Sequence, residues 1–364
     1  MRILVAPLDW GLGHASRCVP LIERLASWGV EVWLGGSGRS LDFLRRRYPD
    51  LPSVPLPGYD IRYPRHSFLV PSLLAQLPRL WGVIRQEQAA LRQHISRHGI
   101  KGVISDNRYG LHAPDLPSVI LTHQLAPIAS LRLLGASALS RRLHLRIMAG
   151  FSRIWVPDLP GPGSLGGLLS AGGEASPRVE YIGWLSRFAG MEAAPLPSPP
   201  PWVALISGPE PQRSLLEARV AAQAQALPPG GWIIGGRPEG RELPALGGPA
   251  VRYDFLDGPP LAAALRGAAL VVSRPGYSSL MDFAALGLRR LLLVPTPGQT
   301  EQEYLAKKLL AQGRALVQPQ KALDLPATFA LPACEAAFPH GAQMDLFVPP
   351  LRAFLEEVSR CAGK

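Results

Sequence analysis

Val271-Val272-Ser273-Arg274-Pro275-Gly276-Tyr277-Ser278-Ser279-Leu280-Met281-Asp282 opens the segment, running to Gly313, whose reading decides the fold. Leu270 to Ser273 is a short β-branched apolar run, as in a strand buried on both faces, and Ser278 to Leu286 has helical spacing. Arg290 to Val294 repeats the strand pattern and Glu301 to Gln312 the helical one. Strands and helices that alternate in this way imply a parallel sheet with helices on both faces.

Upstream, strand Trp202–Ser207, helix Ser214–Gln225 and strand Trp232–Gly235 extend the same alternation. It is preceded by Ala193-Ala194-Pro195-Leu196-Pro197-Ser198-Pro199-Pro200-Pro201, whose prolines exclude helix and sheet ladders and favour a stiff connector. The N-terminal half follows the same plan. Ile3–Ala6 reads as a buried strand, Gly11–His14 as a glycine-containing turn, Ser16–Trp28 as an amphipathic helix and Val30–Leu34 as the next strand. Further strands are expected at Gly102–Ser105, Ser118–Thr122, Ile154–Val156 and Val179–Ile182, with a long helix over Leu73–Arg97. With 364 residues, the chain is long enough for two cores. The expected organisation is an N-terminal Rossmann-like domain over residues 1–190, a Pro-rich linker over 191–201, a second such domain over 202–345, and a C-terminal helix over 346–364 packing back on the first domain. Two doubly wound domains are expected to face a cleft at the carboxyl ends of their strands.

A hydrophobic fraction of 47% with 18% charged residues describes a folded protein. The net charge of +11 fits either a solvated basic surface or an anionic partner, whether nucleic acid, an acidic membrane surface or a phosphorylated substrate. The basic residues are scattered, Arg45-Arg46-Arg47 being the longest run, which argues against nucleic acid. Cys18, Cys334 and Cys361 form no CxxC pair and indicate neither a disulfide framework nor a zinc site. The apolar run before Pro7 is too short for a signal-peptide core and no run reaches the length of a membrane span, so cytoplasmic residence is the expectation. Phe68, Leu69, Val70, Leu73, Leu74, Leu77, Leu80 and Trp81 lie beside Arg65, Arg79 and Arg85, a pattern that fits either a core helix with a basic outer face or a peripheral contact with the inner face of a membrane.

Three constellations carry chemistry. In Asp9-Trp10-Gly11-Leu12-Gly13-His14-Ala15-Ser16-Arg17, glycines admit a ligand to the backbone and His14 has the near-neutral pKa of a general base. A capped helix start with a hydrogen-bonded His fits the same residues. In the second, Gly276, Ser278 and Ser279 place amides and hydroxyls at a helix start, where a diphosphate is favoured, and Asp282 follows where a carboxylate can accept from both hydroxyls of a ribose. An early Asp that complements the helix dipole is the alternative. In the third, Pro295 to Tyr304, polar side chains open a helix and suit either sugar hydroxyls or solvent. The polar strand end Ser105-Asp106-Asn107-Arg108-Tyr109-Gly110 adds Asn107 and Arg108 as acceptor-side candidates and Asp106 as a partner that would orient His14, or else forms a turn with an Asp/Arg ion pair.

Together these motifs resemble the GT-B glycosyltransferases of family 28 type, the branch containing the enzyme that completes peptidoglycan lipid II. The segment from Val272 to Gly276, Asp282 to Gly287, Pro295, and Gln302-Glu303-Tyr304 follow that family's order, with Pro275 in place of Ser, Asp282 in place of Glu and Glu303 in place of Gln. The resemblance implies that Asp282 holds the ribose, Gln302 and Glu303 read the donor sugar, Ser207 and Gly208 lie near the diphosphate, and Phe255 and Leu256 lie against the base. It extends the donor set to Arg274 and Tyr277. On the acceptor side it matches Gly11, Gly13 and His14 to a glycine-rich loop ending in His, and Thr122-His123-Gln124 to a His-Glu-Gln segment. It implies an inverting transfer from a UDP-sugar to a saccharide or lipid acceptor with no cofactor and no metal; the catalytic candidates are His14 as the base and Asp106, from its own position in the sequence, as the residue that orients it. Gly11 to Cys18 also resembles the N-terminal motif of the UDP-sugar hydrolase of the pseudaminic acid pathway, which activates water in place of an acceptor. A nucleotide-sugar binding protein without turnover is the third reading.

Overall fold

The computed structural model describes residues 1–59, 69–125, 137–173, 176–238, 240, 249–334 and 343–362, with the side chains of residues 69–78, 137–140 and 143 outside that description. Two compact units emerge. The first is built from Met1–Arg62, Val70–Ser186 and Ala342–Lys364, and the second from Arg187–Gly341 with Tyr63–Leu69.

The first unit holds a seven-stranded parallel sheet of β1 (Arg2–Pro7), β2 (Glu31–Gly36), β3 (Ser53–Pro55), β4 (Gly102–Asp106), β5 (Ser118–Leu121), β6 (Arg153–Val156) and β7 (Val179–Tyr181). Their order is β3-β2-β1-β4-β5-β6-β7, so the winding reverses between β1 and β4. There Leu4 pairs with Trp33 on one side and Val103 on the other. Ile3, Leu4, Val5 and Ala6 are wholly buried, which is why this strand reads as an unbroken apolar run. Helix α1 (Leu12–Ser27) leaves the end of β1, α2 (Gly38–Arg47) the end of β2, and α3 spans Leu69–His98. α1 begins at Leu12, earlier than the expected start at Ser16, because Gly11, at φ 100° and ψ 160°, turns the chain sharply enough for the helix to open at once. That puts His14 in the first helical turn. On α3, Val83, Glu87 and Leu91 face the interior, while Arg79, Trp81 and Arg85 are exposed. Arg65 and Phe68 lie outside the described residues. The C-terminal helix (Val348–Ala362) packs on this sheet: Phe354 meets the Trp155 ring edge-on at 5.9 Å, and Arg153 donates to Glu357 at 2.8 Å. Complete burial of the Phe354 side chain contributes roughly 1.5–3 kcal/mol to that docking.

The second unit repeats the scheme with β8 (Trp202–Leu205), β9 (Trp232–Ile234), β10 (Val251–Tyr253), β11 (Leu270–Ser273), β12 (Leu291–Leu293) and β13 (Leu316–Val317), all parallel, in the order β10-β9-β8-β11-β12-β13. The winding reverses between β8 and β11, where Val271 pairs with Val203 and Ser273 with Leu205. Its core is built from Trp202, Ala204, Ile206, Val272, Leu292 and Val294 of the sheet with Leu216 and Val220 of the helix Gln212–Gln223. In each unit the ligand-competent position of such a sheet is the crevice beyond the strand ends where the winding reverses.

Candidate active site

At the reversal in the first unit, α1 brings His14 and Arg17, one turn apart on the same helix face, to the carboxyl end of β4, where Asp106 waits. His14 Nδ1 lies 3.1 Å from Asp106 Oδ2. Arg17 grips the same carboxylate as a fork, donating from Nε to Oδ2 at 2.7 Å and from Nη2 to Oδ1. Burial alone would raise the Asp106 carboxyl, but the charges of Arg17 and His14 outweigh it and hold it down to about 2. Asp106 is therefore an anion throughout the working pH range. The His14 imidazole moves below its ordinary 6.5, chiefly because burial penalises its charged form, with Arg17 adding to that effect and Asp106 opposing it. His14 is thus neutral at pH 7, as a general base must be. When Nδ1 carries its proton and donates it to Asp106, the Nε2 lone pair is free to accept one.

The remaining residues expected on the acceptor side divide. His123 follows β5, and its Nδ1 lies 3.1 Å from Arg17 Nη1, so it joins the cluster. Thr122 is wholly buried, its Oγ1 accepting from the Gln124 amide at 3.2 Å. Gly13 stays in the first turn of α1, its carbonyl accepting from Ser16 Oγ at 3.0 Å, and Asn107 holds a left-handed φ of 55° just past β4. Arg108 turns inward. Its guanidinium donates to Pro7 O at 2.8 Å, Pro57 O at 2.9 Å, Glu87 Oε1 at 2.7 Å and Ser37 Oγ at 3.0 Å, with no exposed surface. Those bonds use its donors on the end of β1, on α3 and on the loops after β2 and β3, so Arg108 is turned away from the position where an acceptor ligand is the expectation.

At the second reversal the helix Tyr277–Leu286 begins after Gly276, which is extended at φ −74° and ψ 136°, and no side chain caps it. An uncapped start leaves backbone N–H groups and the positive end of the dipole for an anion. Across the gap, Ser207 and Gly208 follow β8, and Gly208 holds φ 105°, a conformation that side chains resist. Asp282, one turn into the helix and nearly buried, accepts from Arg187 Nε at 3.2 Å. Arg187 also donates from Nη1 to Asp257 at 2.9 Å and lies 4.8 Å from the centre of the Phe188 ring. Phe255 and Leu256, half-buried, immediately precede Asp257. Tyr277 and Ser278 are buried and Ser279 is half-buried. Gln302 and Glu303 shape the loop before their helix, Gln302 Oε1 accepting from the Thr296 amide at 2.8 Å and Glu303 Oε1 from the Gly298 amide at 3.1 Å.

Arg274, like Arg108, points inward. It donates to Val294 O at 2.8 Å, Gln212 O at 2.9 Å and Gln320 Oε1, and burial lowers its guanidinium to about 10. It ties the ends of β11 and β12 to the start of the helix Gln212–Gln223, so it shapes the turn at Gly276 from behind where a direct donor contact is the expectation.

Two residues carry more of this geometry than the sequence indicated. Arg17 had a legible signal, since three residues from His14 on a helix means the same face. Arg187 had none, because its partners Asp257 and Asp282 are far away in the chain.

Comparison with known proteins joins these observations. Residues 247–330 match the glycosyltransferase family 28 C-terminal domain. The fold of the whole chain is that of solved glycosyltransferases. The kitacinnamycin glycotransferase is 16% identical with a TM-score of 0.62, over 99% of this chain and 94% of its own. The chain has the GT-B fold, and within it the segment 247–330 matches the family 28 C-terminal domain. The spinosyn rhamnosyltransferase SpnG, solved with thymidine diphosphate, is 16% identical with a TM-score of 0.57, over 100% of this chain and 92% of its own. MurG of Acinetobacter baumannii is 12% identical with a TM-score of 0.51, over 90% of this chain and 88% of its own. No curated protein matches the GT-B chain by sequence. Among its described residues, no helix is long and apolar enough to cross a membrane.

Proposed function

We propose that the protein transfers a sugar from a UDP-sugar to an acceptor hydroxyl, with inversion and without a metal. The observation that carries this reading is the pair of differently equipped strand-end crevices: a neutral His14 on an ionised Asp106 in one unit, and an uncapped Gly276–Ser279 helix start beside Asp282 in the other. The second unit holds the donor. Its helix start takes the diphosphate, Asp282 the ribose, Phe255 and Leu256 the base, and Gln302 and Glu303 the sugar. The first unit supplies the base. His14 Nε2 accepts the acceptor's proton as its oxygen bonds to the anomeric carbon and the bond from that carbon to the diphosphate oxygen breaks. The helix dipole stabilises the departing UDP. Support for a donor and an acceptor comes from SpnG, solved with thymidine diphosphate and with spinosyn aglycone. A saccharide or lipid acceptor fits, the lipid being favoured by exposed Trp81 between exposed Arg79 and Arg85, which would place the enzyme at the inner face of a membrane.

Water as acceptor is the second reading, favoured by the run Gly11-Leu12-Gly13-His14-Ala15-Ser16-Arg17-Cys18. A screen of UDP- and dTDP-sugars for nucleoside diphosphate release, with and without saccharide and lipid acceptors, separates the readings. Release that requires an acceptor is the expected result. Release with water alone makes the protein a hydrolase, and binding without release under any pairing makes it a carrier.

A further inference from the structure

His14 Nδ1 has two suitors. It lies 3.1 Å from Asp106 Oδ2 and 3.0 Å from Arg17 Nη2, and it can engage only one of them at a time. With a proton on Nδ1 the ring donates to Asp106 and leaves Nε2 basic; without it, Nδ1 accepts from Arg17 and Nε2 carries the hydrogen. Arg17 is committed in every direction. It is 1% exposed, its fork closes on both oxygens of Asp106, and its Nη1 meets His123 Nδ1 at 3.1 Å, which makes that nitrogen an acceptor and puts the His123 proton on Nε2. Among the described residues, the charged and titratable groups facing His14 are thus Arg17 from α1, Asp106 from β4 and His123 from the segment after β5. The guanidinium opposes the carboxylate there, so Asp106 alone does not set the basicity of the ring.

We propose that Arg17 is a positioning residue: it fixes Asp106 and His123 around His14 and competes with Asp106 for Nδ1, thereby setting which nitrogen of His14 carries the proton. This rests on the reading of His14 as the base. The role proposed for Arg17 is exerted through His14, Asp106 and His123, which its guanidinium holds, and not on the reacting atoms. Its effect is on the proton inventory of the site. A base whose imidazolium is penalised by a fixed cation stays ready at acidic pH and releases its proton quickly once the sugar has been transferred. The same residue in a purely structural role would hold the carboxylate in place without influencing the tautomer.

The test is nitrogen-15 and proton NMR of the His14 ring across pH, assigned by His14→Gln, in the full chain and its Arg17→Gln, Arg17→Lys, Asp106→Asn and Asp106→Asn/Arg17→Gln variants. Arg17→Gln should move the His14 midpoint up by about one pH unit, a tenfold gain in proton affinity, and shift the neutral ring toward the Nδ1–H tautomer. Arg17→Lys keeps the charge but loses the fork, so it should retain part of the wild-type midpoint. Asp106→Asn should lower the midpoint, and the double variant should return it toward wild type. Should Arg17→Gln fail to fold, the comparison of Asp106→Asn with the double variant reads the same effect with the buried carboxylate removed. An unchanged midpoint and tautomer across either pair overturns the proposal. If the midpoints move as described while His14→Ala retains turnover, the role of Arg17 stands and the assignment of His14 as the base falls.

Discussion

The crevice between β1 and β4 and the crevice between β8 and β11 arise from the same winding, yet they are furnished in opposite ways. In the first, the helix start carries side chains that hold charge: His14, Arg17 and the Asp106 facing them, nearly all buried and bonded to one another. In the second, the helix start is bare, with Gly276 and small serines exposing backbone, while the charges around it, Arg274, Asp282, Arg187 and Asp257, are set back from it. A doubly wound sheet supplies a place and a dipole; the residues at the turn decide whether that place handles a proton or an anion. Glycine at the turn serves both purposes, as Gly11 in one unit and Gly208 in the other adopt backbone conformations that other residues resist.

The contrast is broken or sharpened by substitutions confined to one crevice. The largest effect is expected from His14→Ala, which should lower turnover by roughly 10²–10⁴-fold, the usual contribution of a general base, in steady-state assays of UDP release. Next is the pH profile. Neutral His14 is the active form and its midpoint lies below 6.5, so activity should fall as pH drops through that midpoint and be level by neutral pH; a limb centred above 6.5 would contradict the burial of the ring. In the other crevice, the Ser278→Ala/Ser279→Ala pair removes two hydroxyls but no amides, and UDP affinity should weaken by roughly tenfold in equilibrium titration. The smallest effect belongs to Glu303→Gln. It keeps an acceptor for the Gly298 amide, so it should alter the preference among donor sugars by a few-fold in KM and leave UDP affinity as it was.

Much of this contrast is legible in the sequence. The apolar runs of β1, β4, β8 and β11 sit in a sheet covered on both faces, and the Gly-x-Gly-His and Pro-Gly-Tyr-Ser-Ser stretches mark their turns. Elements of two or three residues, such as β10 and β13, and the helix Gly38–Arg47 were not read, because they are too short or too polar to show a period. The arginines were the harder problem. Arg108 and Arg274 stand at polar strand ends and read as ligand contacts, but each is buried against carbonyls supplied by distant parts of the chain: Pro7 and Pro57 for one, Gln212 and Val294 for the other. Arg187 stands before a proline-rich stretch with no local sign of its carboxylate partners. A buried cation is identified by what surrounds it in space, and a linear pattern does not contain that information.

The division of labour between the crevices is tested most directly by calorimetric titration of UDP into the wild-type protein, His14→Ala and Asp282→Ala, run side by side. Asp282→Ala should bind UDP roughly ten- to a hundredfold more weakly, the loss expected for hydrogen bonds to a charged group, while His14→Ala binds as the wild type does. Equal affinity in the wild type and Asp282→Ala, or a comparable loss in His14→Ala, would contradict it.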